Sequence, residues 1–143
     1  MKSEGGILIT GIKRVSDRIF NRILAEKNID AFNGAQGRIL YILWQTDGIS
    51  QRELADATAL AATTLTSMIE RMEASGLLKK IPAPDDRRKT LLCLTDRARS
   101  LKKDYDDVSD RMNDVFYRGF REEEIEKFEA DLRRVLENLK QCE

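Results

Sequence analysis

The stretch Ser50-Gln51-Arg52-Glu53-Leu54-Ala55-Asp56-Ala57-Thr58-Ala59-Leu60-Ala61-Ala62-Thr63-Thr64-Leu65-Thr66-Ser67-Met68-Ile69-Glu70-Arg71-Met72-Glu73-Ala74-Ser75-Gly76 decides the fold. It opens on a serine with a glutamate three residues later. In that pattern the hydroxyl and the carboxylate each satisfy a free backbone N–H at a helix start. A short helix over about 51–58 follows, with Leu54 and Ala55 facing inward. After Ala59-Leu60 a second helix runs over about 61–75. Its apolar residues Leu65, Met68, Ile69 and Met72 recur at three and four, the period of one buried helical face. Gly76 ends it, since glycine enters the left-handed conformation that closes helices without steric cost.

Beyond Gly76 the period changes. Leu77 to Ala83 and Thr90 to Leu94 read as extended segments around the polar turn Pro84-Asp85-Asp86-Arg87-Arg88-Lys89, a β-hairpin with a charged tip. Pro82 has no N–H to give a ladder, so its strand should be short or lie at an edge. Thr95 can cap a helix over about 96–118, striped by Leu101, Tyr105, Val108, Met112 and Val115 in heptad-like steps, with Phe116 alongside. A last helix over about 121–140 carries Ile125, Phe128, Leu132, Val135, Leu136 and Leu139, and Glu122, Glu123 and Glu124 suit its N-terminal dipole. Upstream, residues 7–27 read as a helix with Leu8, Ile12, Val15, Ile19 and Ile23 on one stripe, widened by Phe20 and Leu24. Residues 33–45 read as another, capped by Asn33 and deeply buried through Ile39, Leu40, Ile42 and Leu43; Asp47-Gly48 breaks the chain after it.

Composition narrows the chemistry. The chain has 143 residues, one domain's worth, with 25 basic and 25 acidic groups. The zero net charge hides a segregation: residues 79–103 carry nine basic and three acidic groups, net +6, and residues 104–143 are acidic. The absence of histidine excludes Ser-His-Asp and Cys-His catalysis and His-ligated zinc. Gly5-Gly6 and Gly34 are isolated and make no phosphate loop. The reading is therefore not an enzyme, with no cofactor and no metal. The longest apolar run, Ile39 to Trp44, is far below the ~20 residues of a membrane span, and the start resembles no secretory signal. Two cysteines make no disulfide framework, so a cytoplasmic location without membrane contact is expected.

Two short helices, a tight turn and a β-hairpin form a winged helix-turn-helix pattern, in a mainly α chain. The second helix presents Ala62, Thr63, Thr66 and Ser67 opposite its apolar stripe. Small side chains let a backbone sit deep in a major groove, where hydroxyls reach base edges or phosphates. Arg87, Arg88 and Lys89 at a protruding tip suit a narrow, electronegative minor groove.

These residues resemble the MarR family of bacterial transcription regulators, over nearly the whole chain. Ser50 to Ala55 is similar to the family's first reading-motif helix. Thr64-Leu65-Thr66 through Arg71 to Leu78 is similar to its recognition helix and exit. Most specific is Pro82-Ala83-Pro84-Asp85-Asp86-Arg87-Arg88 followed by Leu92-Cys93-Leu94-Thr95, which resembles the family wing. The resemblance implies a single unit over 1–143, with a DNA-binding region at 33–95 and dimerisation helices at 1–32 and 96–143. It implies double-stranded DNA as partner, with Ala62, Thr63, Thr64, Thr66, Ser67 and Arg71 on the recognition helix and Asp86, Arg87, Arg88 and Lys89 on the wing. Asp86 would pin the hairpin by pairing with a basic group, and Arg88 would reach the minor groove. It also implies a repressor released by a small aromatic or phenolic effector, for which Ile12, Val15, Ile19, Trp44, Tyr105 and Met112 are candidate lining residues. The sequence departs from the family at Ala61 and Ala62, where a serine cap and a polar or basic residue are common, and at Ala83, where Asp is frequent.

The dimer is expected from the residues too: three apolar helices exceed what a small winged helix must cover, and a C₂ pair is the commonest remedy. Two recognition helices about one DNA turn apart would then read a roughly palindromic operator. Two alternatives stay open. Cys93, with basic neighbours, or Cys142 could make a thiol-based redox sensor; the weakly basic reading face would also suit a helical protein-interaction module that does not bind DNA.

Overall fold

The computed structural model describes residues 1–143. In chain order they form α1 (Gly5–Glu26), α2 (Gly34–Gln45), β1 (Ile49–Ser50), α3 (Gln51–Thr58), α4 (Ala62–Ala74), β2 (Leu78–Pro82), β3 (Thr90–Leu94), α5 (Asp96–Ser100), α6 (Lys102–Phe116) and α7 (Glu122–Lys140). The architecture is mainly helical with a small antiparallel sheet in the order β1-β3-β2.

The expected caps form. Asn33 Oδ1 accepts from the Gln36 N–H at 2.8 Å and Ser50 Oγ from the Glu53 N–H at 3.1 Å, each with the reciprocal bond in place. Gly76 closes α4 at φ +79°. Pro82 ends the edge strand β2, opposite Thr90, so its missing donor breaks no interior ladder.

Three boundaries differ from the sequence reading. A third strand, β1, pairs Ile49 with Leu92 and ties the α2–α3 turn to the hairpin. The helix expected over 96–118 is two helices meeting at Leu101 and ending at Phe116. There the Ala98 carbonyl accepts from the Leu101 N–H at 3.2 Å and from the Trp44 indole at 3.1 Å, so α5 is fastened to α2 as a separate turn. Finally, α4 starts at Ala62, because Ala61 occupies the cap position and offers no side-chain acceptor.

The core lies inside the central module. Ile39, Leu40 and Leu43 of α2, Leu54 of α3, Leu65, Ile69 and Met72 of α4, and Leu92 of β3 are all buried, joined by Val108 of α6. Each such side chain removed from water stabilises the fold by roughly 1.5–3 kcal/mol before its ordering cost. The helices α1, α6 and α7 are covered only in part. Ile7 remains 79% exposed and Leu139 63%, and α7 buries no residue fully.

Candidate nucleic-acid interface

α4 lays its apolar stripe on the core as expected, and Ala62, Thr63, Thr64, Thr66, Ser67 and Arg71 are exposed. Arg71 folds its Nε back toward the Ser67 carbonyl at 3.4 Å. The Thr66 hydroxyl is already engaged: it donates to the Ala62 carbonyl at 2.9 Å and accepts from the Gln51 amide at 2.8 Å. Gln51, at the start of α3, was not singled out by sequence reading, because which α3 residue meets which α4 residue depends on the turn between them.

That turn is held by Ala59, which takes the left-handed conformation at φ +57° and donates its N–H to the Ala55 carbonyl at 2.9 Å. At the other end of α4, Arg97 of α5 reaches the Ser75 carbonyl and Thr95 Oγ1 donates to the Gly76 carbonyl at 2.6 Å. Asp47 fastens the same corner. Its carboxylate accepts from the Leu94 N–H at 2.9 Å and from the Arg99 guanidinium at 3.1 Å. The presentation of α4 is thus fixed by α3 at one end and by α5 at the other.

The hairpin projects Arg87, Arg88 and Lys89 into solvent, the Arg88 side chain 92% exposed. Its tip closes through the Lys89 N–H to the Asp86 carbonyl at 3.0 Å and the Ala83 N–H to the Lys89 carbonyl at 2.9 Å. Asp86 does pair with a basic group, and that group is Arg88 itself: Asp86 Oδ1 accepts from the Arg88 N–H at 3.0 Å and from its Nε at 3.2 Å. The two roles expected of Asp86 and Arg88 therefore meet in one contact. Nearby basic charge is partly balanced by pairs along α6, Lys102 with Asp106 at 2.6 Å and Lys103 with Asp107 at 3.3 Å. Arg87 and Lys89 form no ion pair, so the tip keeps its positive charge.

The six residues expected to line one effector pocket separate. Ile12, Val15, Ile19 and Met112 share an open apolar groove of about 680 Å³ between α1, the end of α6 and the start of α7, along with Phe116, Tyr117, Phe120 and Phe128. Tyr105 lies instead in an adjoining cavity of about 220 Å³ with Asp17, Phe20 and Arg38; Met112 and Phe116 line both. Trp44 lines neither. It packs on the Tyr105 ring at 5.1 Å with its indole N–H on Ala98. The helix α2 presses so closely on Tyr105 that a Cβ at Gly37 would sit 3.1 Å from the ring. The Tyr117 hydroxyl donates to Glu129 at 2.6 Å, and burial followed by this bond pushes its pKa up to about 12.

Cys93 is buried at the base of the wing, and burial, with Asp47 nearby, pushes its thiol above the ordinary range. That is opposite to what a reactive thiolate needs. Cys142 is exposed at the end of α7.

The helix pair, the three-stranded sheet and the protruding hairpin define a winged helix-turn-helix protein. Residues 32–90 match the family model described as the MarR family. Among curated relatives, it is 36% identical over 64 residues to the HTH-type transcriptional regulator TtmR of Methylorubrum extorquens; the match covers 45% of this chain and 33% of that relative. Among solved structures, a cysteine-to-serine mutant of MarR from E. coli complexed with operator DNA superposes with a TM-score of 0.81 at 24% identity, covering 92% of each chain. The PcaV transcriptional regulator of Streptomyces coelicolor, in complex with its natural ligand, gives a TM-score of 0.81 at 24% identity and 96% coverage of each. These two likenesses establish the fold. No helix of the chain is long and apolar enough to cross a membrane.

Proposed function

We propose that this regulator works as a homodimer on double-stranded DNA, with α4 of each copy in the major groove and each wing tip on the flanking minor groove, at a roughly palindromic operator. The observation that carries the reading is the joint presentation of two surfaces by one rigid module. These are an uncovered face of small hydroxyl and methyl groups on α4 and a hairpin tip where Arg87 and Lys89 form no ion pair and Arg88 pairs with Asp86. Ala62, Thr63, Thr64, Thr66, Ser67 and Arg71 are the major-groove set, and Asp86, Arg87, Arg88 and Lys89 the wing set. The MarR structure with operator DNA supports this use of the fold. The test is binding-site selection from random DNA at two salt concentrations. A selected inverted repeat, bound with a log–log salt slope of several counterions, is expected. Recovery of no sequence would leave the helical interaction module.

A repressor released by a small aromatic or phenolic molecule is the accompanying proposal. The specific observation behind it is the aromatic, largely apolar groove with its smaller inner cavity, in which Arg38, paired with Asp17, supplies the polar end. PcaV, solved with its natural ligand, supports a ligand-responsive member of this fold. Such a ligand shifts binding only as far as its affinities for the free and DNA-bound conformations differ. Added ring-bearing acids that bind without lowering operator affinity would reject the release model.

A further inference from the structure

The hydroxyl of Thr66 carries one proton and two acceptor positions. The proton goes to the Ala62 carbonyl at 2.9 Å, and one acceptor position takes the Gln51 amide at 2.8 Å. Thr66 therefore meets a partner with no proton to offer, and its oxygen is held against its own helix and α3. What it has left to present is its methyl group and one acceptor position, with no donor. One helical turn earlier, on the same flank of α4, Ala62 exposes another methyl. The reading face holds no lysine or arginine before Arg71; the long side chains beside that flank are Gln51 and, one turn after Thr66, the exposed Glu70.

We infer that Gln51 is a positioning residue for sequence readout, and that by holding the Thr66 hydroxyl it makes α4 read thymine 5-methyl groups through Thr66 and Ala62. Methyl-to-methyl contact is one of the few ways an uncharged small side chain distinguishes a base pair in the major groove, where only thymine among the four bases carries that group. Donation from Thr66 to guanine or adenine acceptors is closed while Gln51 and Ala62 hold its oxygen. The inference rests on the DNA-reading proposal above and adds the base class and the residue that sets it.

The test replaces each thymine of the selected operator in turn by uracil, which removes only the methyl. At one or two half-site positions uracil should weaken wild-type binding about fourfold, the worth of one buried methyl-sized group. Thr66→Ser keeps the hydroxyl and removes the methyl, so its binding should be indifferent to uracil at one of those positions. Gln51→Ala should reduce the same sensitivity, and adding it to Thr66→Ser should change nothing more. Circular dichroism should show each variant with the helical content of the wild type. A uracil penalty equal in wild type and Thr66→Ser, or unchanged in Gln51→Ala, overturns the inference while leaving DNA reading in place. Selection of no sequence at all overturns both.

Discussion

At the wing tip a single carboxylate holds two groups of one arginine. Asp86 fixes the turn through the Arg88 N–H and holds the Arg88 side chain through Nε at 3.2 Å. The side-chain contact is exposed and contributes little stability by itself. Its consequence is for binding, because Arg88 must leave Asp86 to enter a groove. Two substitutions separate the roles. Asp86→Asn keeps a backbone acceptor and removes the charge competing for Arg88, so DNA affinity should rise severalfold. Asp86→Ala also removes the charge but frees the turn, and should bind more weakly than Asp86→Asn by about 1 kcal/mol, one lost hydrogen bond. Equal gains in both, measured by titration at fixed salt, would mean that only charge matters at this position. The cysteines give a second residue-scale expectation. Burial keeps Cys93 protonated and covered, so iodoacetamide at pH 8 should modify Cys142 and spare Cys93 until the chain is unfolded. Rapid labelling of Cys93 in the native protein, read by intact mass, would bring the thiol-sensor reading back.

At the scale of elements, the joint between α3 and α4 carries backbone strain. Ala59 stands at φ +57°, a conformation that costs a residue with a Cβ about 1–2 kcal/mol and glycine almost nothing. Ala59→Gly should therefore stabilise the chain by roughly 0.5–1 kcal/mol, after the extra freedom of glycine in the unfolded state is subtracted. A lowered midpoint in urea would show that the Ala59 methyl packs better than the strain costs. This turn also marks how far the sequence could be read. The helices, caps and hairpin were legible because their signals are local: Ser50 with Glu53, Asn33, Gly76 and the three-and-four spacing of Leu65, Met68, Ile69 and Met72. What was not legible depends on one element meeting another. β1 is two residues long and exists only because β3 lies beside it. Leu101 fits the heptad of one continuous helix, and the break lies where the Ala98 carbonyl takes both the Leu101 N–H and the Trp44 indole. The contact of Gln51 with Thr66 follows from the strained turn, and the removal of Trp44 and Tyr105 from the apolar groove follows from Gly37 letting α2 press on α6. The hydrophobic pattern announced that these aromatics are covered but not by which neighbour.

For the whole molecule, the segregated charge and the uncovered helices belong together. The basic stretch 79–103 occupies the wing and the start of α5–α6, while the acidic remainder lies on α6 and α7 beside apolar residues that the chain does not cover. Ile7, Leu8 and Ile9 on α1 and Val135, Leu136 and Leu139 on α7 are all exposed, large apolar side chains that the single chain leaves to water. A second copy packed there would cover them and orient both wings toward one face. Leu8→Asp and Val135→Asp test this separately. Both sites are about half exposed in the single chain, so neither aspartate disturbs the central core around Leu40 and Leu54. Each variant should keep its helical circular dichroism but sediment at the mass of one chain, 16.4 kDa, at concentrations where the wild type sediments at twice that. Operator affinity should then fall by orders of magnitude, because two half-sites no longer bind as one unit and the gain from high local concentration is lost. Non-specific binding by each wing should persist, with about half the salt slope. If both variants remain paired, or if a single chain holds a full operator as tightly as the wild type, the dimer lies on another surface and the charge segregation needs a different cause.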